Sequence, residues 1–365
     1  MFDRRVFLRA LMGLTAGLVT GRPSLSAQTT AAGAATSGAS GASGVSGASG
    51  GLGAAGPLTE DRLGKLLPMR RLGRTGEWVT TLGFGGSHMI QNKSEAQSAA
   101  LIEAALEEGV RFFDTAQQYG NGESESRMGR SLTPKYRDVI YLMTKTQARE
   151  RGRALQDMDE CRQRLNVDVI DLMQIHHIHN PQDVDNLVDN GVVDVLLEAR
   201  EQGKIRHLGF TGHDTPKAHL HMLKRLDGLG VEFDTVQMPM NVADPGYESF
   251  IVEVLPTLIE RDYGVLAMKT LAYGHLAGQK NGWTRGKKIA PRVVPERMSL
   301  AEALGFVWSL PISTLISGTP TVEMLRENAG LARAHVDLPE AARLALADKA
   351  AEFAGPDLEF YKDRV

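Results

Sequence analysis

Eight short apolar runs, each followed by a segment of helical periodicity, recur through this chain and constrain its fold more than any other feature. They are Thr80 to Gly85, Phe112 to Asp114, Val139 to Thr144, Val169 to Ile175, Ile205 to Phe210, Thr235 to Met238, Gly264 to Lys269 and Thr314 to Ser317. Runs this short read as buried strands. Helix starts lie between them: Ser94-Glu95-Ala96-Gln97 is a capping box, Thr215 precedes Pro216, and Ser299 is followed by Glu302. Each crossover is long enough for parallel pairing of the flanking strands. The pattern predicts an α/β fold, a closed (β/α)8 or TIM barrel, with its chemistry at the C-terminal ends of the strands. An open doubly wound sheet is the alternative, but no G-x-G-x-x-G follows the first strand. Ahead of the barrel, Met69 to Val79 holds two extended pieces around Arg74-Thr75-Gly76, a hairpin signal.

The barrel and hairpin occupy residues 57–365 in this reading, and what precedes them reads differently. Arg4 and Arg5 stand before an apolar run from Ala10 to Val19 that is diluted by Gly13, Thr15 and Gly17 and followed by Ser24-Leu25-Ser26-Ala27. Residues 1–27 therefore resemble a twin-arginine signal peptide, with the twin-arginine translocase as export partner and the periplasm of a Gram-negative bacterium as destination. The run is too short to span a bilayer, so the mature protein is expected to have no stable membrane span. Residues 28–56 are almost all Ala, Gly, Ser and Thr, which bury too little apolar surface to offset ordering entropy, and read as a flexible linker. A net charge of -3 without a basic stripe gives no reason to expect nucleic acid as a partner. Cys161 is the only cysteine, which rules out an internal disulfide.

Candidate chemistry begins at Arg111 to Arg130, RFFDTAQQYGNGESESRMGR. Asp114 stands at a strand exit, and Tyr119 follows in a segment that Gly120-Asn121-Gly122 turns out of any helix. The third run leads into Lys145, whose charge would be costly beside buried strands unless a carboxylate such as Asp114 pairs with it. The fourth ends Gln174-Ile175-His176-His177.

FDTA-x2-YG-x-GESE, together with Ile170-Asp171-Leu172-x-Gln174-Ile175-His176, resembles the aldo-keto reductase family. The resemblance covers nearly the whole predicted barrel and implies that the hairpin plugs the barrel bottom. It implies a catalytic tetrad of Asp114, Tyr119, Lys145 and His176 that reduces an aldehyde or ketone, or runs the reverse reaction on an alcohol, using a nicotinamide. A phenol is a weak acid at neutral pH unless a cation stabilises its anion, a role Lys145 fills. The resemblance further implies cofactor contacts from Thr211, Gln237, Met268, Lys269, Ser317, Gly318, Thr319, Glu327 and Asn328, with NADP(H) favoured over NAD(H). Several positions depart from the family pattern: His177 replaces a tryptophan, Met268 replaces the aromatic that stacks on nicotinamide, and Pro320 replaces the arginine for a 2′-phosphate, leaving Arg326 as a substitute.

Two other readings compete with this one. A non-catalytic nucleotide-binding or sensor protein on the same barrel would account for the lost aromatic and arginine, whereas the intact tetrad argues for an enzyme. His176, His177, His179 and His213 invite a metal reading, but the first strand lacks the HxH of barrel metallohydrolases, so no metal is assigned. The segment Tyr273 to Arg297, with Trp283, and the end of the chain at Phe360-Tyr361 are expected to border the substrate cleft.

Overall fold

The computed structural model describes residues 56–91, 93–279 and 292–362. The expected signal peptide, all of the expected linker but Gly56, and Trp283 lie outside the described residues. Two small antiparallel hairpins come first. β1 (Glu60–Asp61) pairs with β2 (Gly64–Lys65), and β3 (Met69–Arg71) pairs with β4 (Trp78–Thr80). The second is the hairpin predicted from Arg74-Thr75-Gly76, turned by a short 3-10 segment over Gly73–Thr75. The first has polar two-residue rungs with no alternation, and so left no signal in the sequence.

Eight parallel strands then close into a barrel in chain order: β5 (Leu82–Gly85), β6 (Phe112–Asp114), β7 (Tyr141–Thr146), β8 (Ile170–Ile175), β9 (Ile205–Thr211), β10 (Thr235–Pro239), β11 (Gly264–Met268) and β12 (Thr314–Ser317). β12 pairs back onto β5 through Leu315↔Leu82 and Ile316↔Gly83. The largest departure from the predicted bounds is at β7. Val139 still belongs to the preceding turn, its N–H reaching Tyr136, and the strand runs on through Lys145 to Thr146. The capping boxes at Ser94 and Ser299 and the Thr215 cap form as read.

Inside the barrel, Phe112, Tyr141, Met143, Leu172, Leu266 and Ile316 pack with Leu72 and Val79 of the second hairpin. Phe112 and Tyr141 stack at 5.4 Å. Burying one such side chain contributes about 1.5–3 kcal/mol, so the hairpin is an integral stopper. It closes the end where strands begin: the Arg74 N–H donates to the Asp262 carbonyl at 2.7 Å, just before β11. Gly73 makes this approach possible, since it sits at φ 53° and a Cβ built there would lie 2.2 Å from the Gly264 nitrogen. The chain also enters at this bottom face. Asp61 pairs with Arg111 ahead of β6, and Arg62 pairs with Asp138 ahead of β7.

The C-terminal segment crosses instead to the opposite, upper face. Lys362 Nζ donates to Asp244 Oδ1 at 2.7 Å and to the Tyr247 carbonyl at 2.7 Å, and lies 2.9 Å from Glu359 Oε1. All three charged side chains are fully buried. No helix among the described residues is long and apolar enough to cross a membrane.

Candidate active site

Asp114 is the last residue of β6, and its register neighbour on β7 is Met143. Lys145 therefore lies two residues further along β7, its side chain on the same face of the sheet as that of Met143. Lys145 Nζ donates to Asp114 Oδ1, to the Thr115 carbonyl at 2.9 Å and to the Tyr119 hydroxyl at 3.4 Å. The other Asp114 oxygen accepts from Gln237 Nε2 at 3.2 Å. Tyr119 meets His176 edge to face, with ring centroids 5.8 Å apart. The structure thus brings the four predicted residues together from three consecutive strands.

Burial pushes the Tyr119 phenol well above its ordinary value, and the Asp114 charge adds to the shift. The phenol is protonated at neutral pH, as a proton donor must be. Burial lowers the Lys145 ammonium, with the Asp114 carboxylate opposing that shift. Burial, then the Lys145 charge, hold the His176 imidazole well below its ordinary value, so it is neutral at physiological pH.

These groups open onto a cleft of about 540 Å³ that is also lined by His88, Tyr273, Phe360 and Tyr361. Its size suits a small substrate beside part of a larger ligand. The end of the chain borders the cleft as expected, as does the start of the loop after β11, through Tyr273 to Gln279. Of the predicted cofactor residues, Thr211, Gln237, Met268, Lys269, Ser317 and Gly318 line it. Gln237 Oε1 and Thr319 Oγ1 are buried without a hydrogen-bond partner, two polar atoms that suit a bound carboxamide and phosphate. Asn328 donates to Ser317 Oγ at 3.0 Å and so shapes the loop, while Glu327 is exposed on the helix. Lys269, at φ 54°, extends over the rings of Tyr361 and Tyr273. Arg326 lies 3.5 Å from Glu107 and 3.7 Å from Glu108 on an exposed face.

His177 turns from Tyr119 toward Asp214, 2.9 Å away, which leaves His176 as the imidazole facing the phenol. Asp214 and His88 were not singled out by sequence reasoning. Asp214 had a readable signal: strands consecutive in a barrel are neighbours, so HxH after the fourth strand and HD after the fifth must meet.

Comparison with known proteins follows the same lines. L-galactose dehydrogenase of Arabidopsis thaliana is 28% identical over 225 residues, which is 58% of this chain and 68% of the relative. A methylglyoxal reductase of Escherichia coli is 26% identical over 277 residues, covering 74% of this chain and 91% of the relative. An aldo-keto reductase from Bacillus halodurans, solved in its holo form, superposes with a TM-score of 0.66 at 21% identity, covering 78% of this chain and 96% of that one. The model of the aldo/keto reductase family matches residues 81–326. That span runs from the first barrel strand to beyond the eighth, and the protein belongs to the aldo/keto reductase family of oxidoreductases.

Proposed function

We propose that Tyr119 is the proton donor in the nicotinamide-dependent reduction of an aldehyde or ketone, with Lys145, Asp114 and His176 as its supporting groups. The observation that carries this reading is the contact between the buried Tyr119 hydroxyl and Lys145 Nζ, itself fixed by Asp114. A bound nicotinamide supplies the hydride. As the carbonyl oxygen gains negative charge, Tyr119 passes its proton to that oxygen, and Lys145 steadies the phenolate left behind. Asp114 keeps the ammonium in place. Neutral His176 donates a hydrogen bond to the same carbonyl oxygen and orients it. In the oxidative direction the proton returns along the same path.

Ser317, Gly318 and Thr319 stand just ahead of the helix Val322–Ala334, where N–H groups and the helix dipole favour phosphate. Gln237 is assigned the carboxamide, Met268 the nicotinamide face, and Glu327 and Asn328 the adenine. For NADP(H) over NAD(H) the support is the family resemblance, with Arg326 as the cation for a 2′-phosphate once released from Glu107 and Glu108. Mass analysis of nucleotide bound to purified protein, followed by a scan of aldehydes and ketones with wild type and Tyr119→Phe, tests the reading. Bound nucleotide with turnover that collapses in the variant supports it. Unchanged turnover without the phenol would overturn it, and nucleotide binding without any turnover would favour the sensor reading.

We further infer export by the twin-arginine route to the periplasm, on the strength of Arg4-Arg5 and the apolar run behind them. That route carries folded proteins, so the nucleotide is loaded before export and regenerated in place by a second substrate. Replacing both arginines with lysine and fractionating the cells tests this; unaltered periplasmic delivery of the double variant would refute it.

A further inference from the structure

The loops after β8 and β9 gather a second group of side chains that the proposed reduction does not use. Asp214, only 1% exposed, is the hub. Its Oδ1 lies 2.9 Å from His177 Nε2 and 2.9 Å from His213 Nδ1, and its Oδ2 lies 2.8 Å from His179 Nδ1. The His177 ring centroid is 4.1 Å from that of His179 and 3.9 Å from that of His213. His177 takes a left-handed backbone, φ 59°, to reach this position. Such a conformation is unfavourable for a non-glycine residue and persists where the surroundings require it.

We propose that His177, His179, His213 and Asp214 form a binding site for one divalent transition-metal ion of the zinc or cobalt type, at the wall of the cleft. Three imidazole nitrogens and one carboxylate oxygen are a donor set these borderline ions prefer. One ligand atom from each of His177, His213 and Asp214 already lies within 4.8 Å of the others. Bonds of about 2.0–2.1 Å to a tetrahedral ion set ligand atoms about 3.3 Å apart. The three histidine-to-Asp214 spacings of 2.8–2.9 Å therefore need to widen by about half an ångström, and His179, outside the mutually close set of three, needs to swing toward the other two imidazoles. Each ligating imidazole keeps its remaining N–H on the other ring nitrogen. Magnesium and calcium are poor candidates, because they take mainly oxygen ligands and the set offers one carboxylate.

The site stands beside the catalytic groups, since His177 and His213 line the same cleft as Tyr119 and His176. A bound ion joins the two loops, and competes for His213 Nδ1 with the Tyr361 carbonyl that lies 3.1 Å from it.

The test uses the full chain without a histidine tag, stripped with chelator and then equilibrated with Zn2+ or Co2+ alone. The expected result is one ion retained per chain, visible ligand-field absorption of four-coordinate Co2+, and no comparable uptake of Mg2+. Asp214→Asn and His213→Ala should each weaken Zn2+ binding at least tenfold. His179→Ala, at a side chain 46% exposed and so outside the packed core, should weaken it severalfold. His335→Ala, beside Asp337 on another part of the surface, should leave binding unchanged. Failure to retain one ion per chain, or equal affinity in the folded His179→Ala, His213→Ala and Asp214→Asn variants, would overturn the proposal.

Discussion

Asp114 and Lys145 form an ion pair whose side chains are 3% and 1% exposed, with the Tyr119 hydroxyl within hydrogen-bond distance of the ammonium. A charge pair so far from water is worth little against an apolar pair of the same shape, but removing one partner leaves the other stranded. Asp114→Asn and Lys145→Met should each cost about 3–5 kcal/mol of unfolding free energy. The double variant should cost clearly less than the sum, because neither charge is left unpaired. Urea unfolding of the four proteins measures the cycle; strict additivity would mean the pair is not coupled.

Tyr119→Phe keeps the ring against His176 and removes only the hydroxyl. It should lower kcat by roughly a hundred- to ten-thousandfold while nucleotide affinity stays within about twofold of wild type. Steady-state kinetics and fluorescence titration with nucleotide separate the two effects.

His219 supplies a pH prediction. Burial lowers its folded-state pKa from 6.5 to about 4. Between those values it is neutral in the fold and protonated in the unfolded chain. Its contribution is therefore complete above pH 6.5 and is lost as pH falls toward 4. From about pH 7.5 to about pH 5 the loss from this residue is about 2 kcal/mol. His219→Leu should flatten the fall in the urea midpoint over that range by a corresponding amount, and an unchanged slope would contradict the assignment.

Lys362 pairs with both buried Asp244 and buried Glu359 and holds Phe360 and Tyr361 against the cleft. Lys362→Met should destabilise the fold by about 3–5 kcal/mol. It should also raise KM for the substrate more than it lowers kcat, since the tail lines the cleft at Phe360 and Tyr361 and supplies none of the four groups proposed for the chemistry. A variant that loses kcat alone would place the tail in the chemistry instead.

Gly73→Ala should destabilise by more than about 1 kcal/mol, because a left-handed residue packed on backbone has no room for a methyl group. Gly76→Ala, also left-handed but with open space around it, should cost less. Thermal unfolding of the two variants makes the comparison.

The barrel was readable because its strands are short apolar runs between capped helices, and Ser94, Thr215 and Ser299 cap where their sequence context requires. Lys145 misled at one point: a charge suggests a strand end, yet the pair with Asp114 lets β7 continue through it. Thr80 to Gly85, read as one strand, divides at Thr81 because the first half belongs to the hairpin. That Asp114, Tyr119, Lys145 and His176 would meet was legible through local motifs. Asp214 was missed because two of its three histidine partners are 35 and 37 residues away, where only strand order reports proximity.

The two ends of the described chain lie on opposite faces of the barrel, the start beside Asp61 and Arg62 below and the finish just past Phe360 and Tyr361, which line the cleft. A fusion partner, an affinity handle or a solid support joined upstream leaves the mouth facing outward. The same attachment made downstream crowds the entrance that substrate must use. For immobilised or surface-displayed forms of this enzyme, the upstream end is the side from which to hold it.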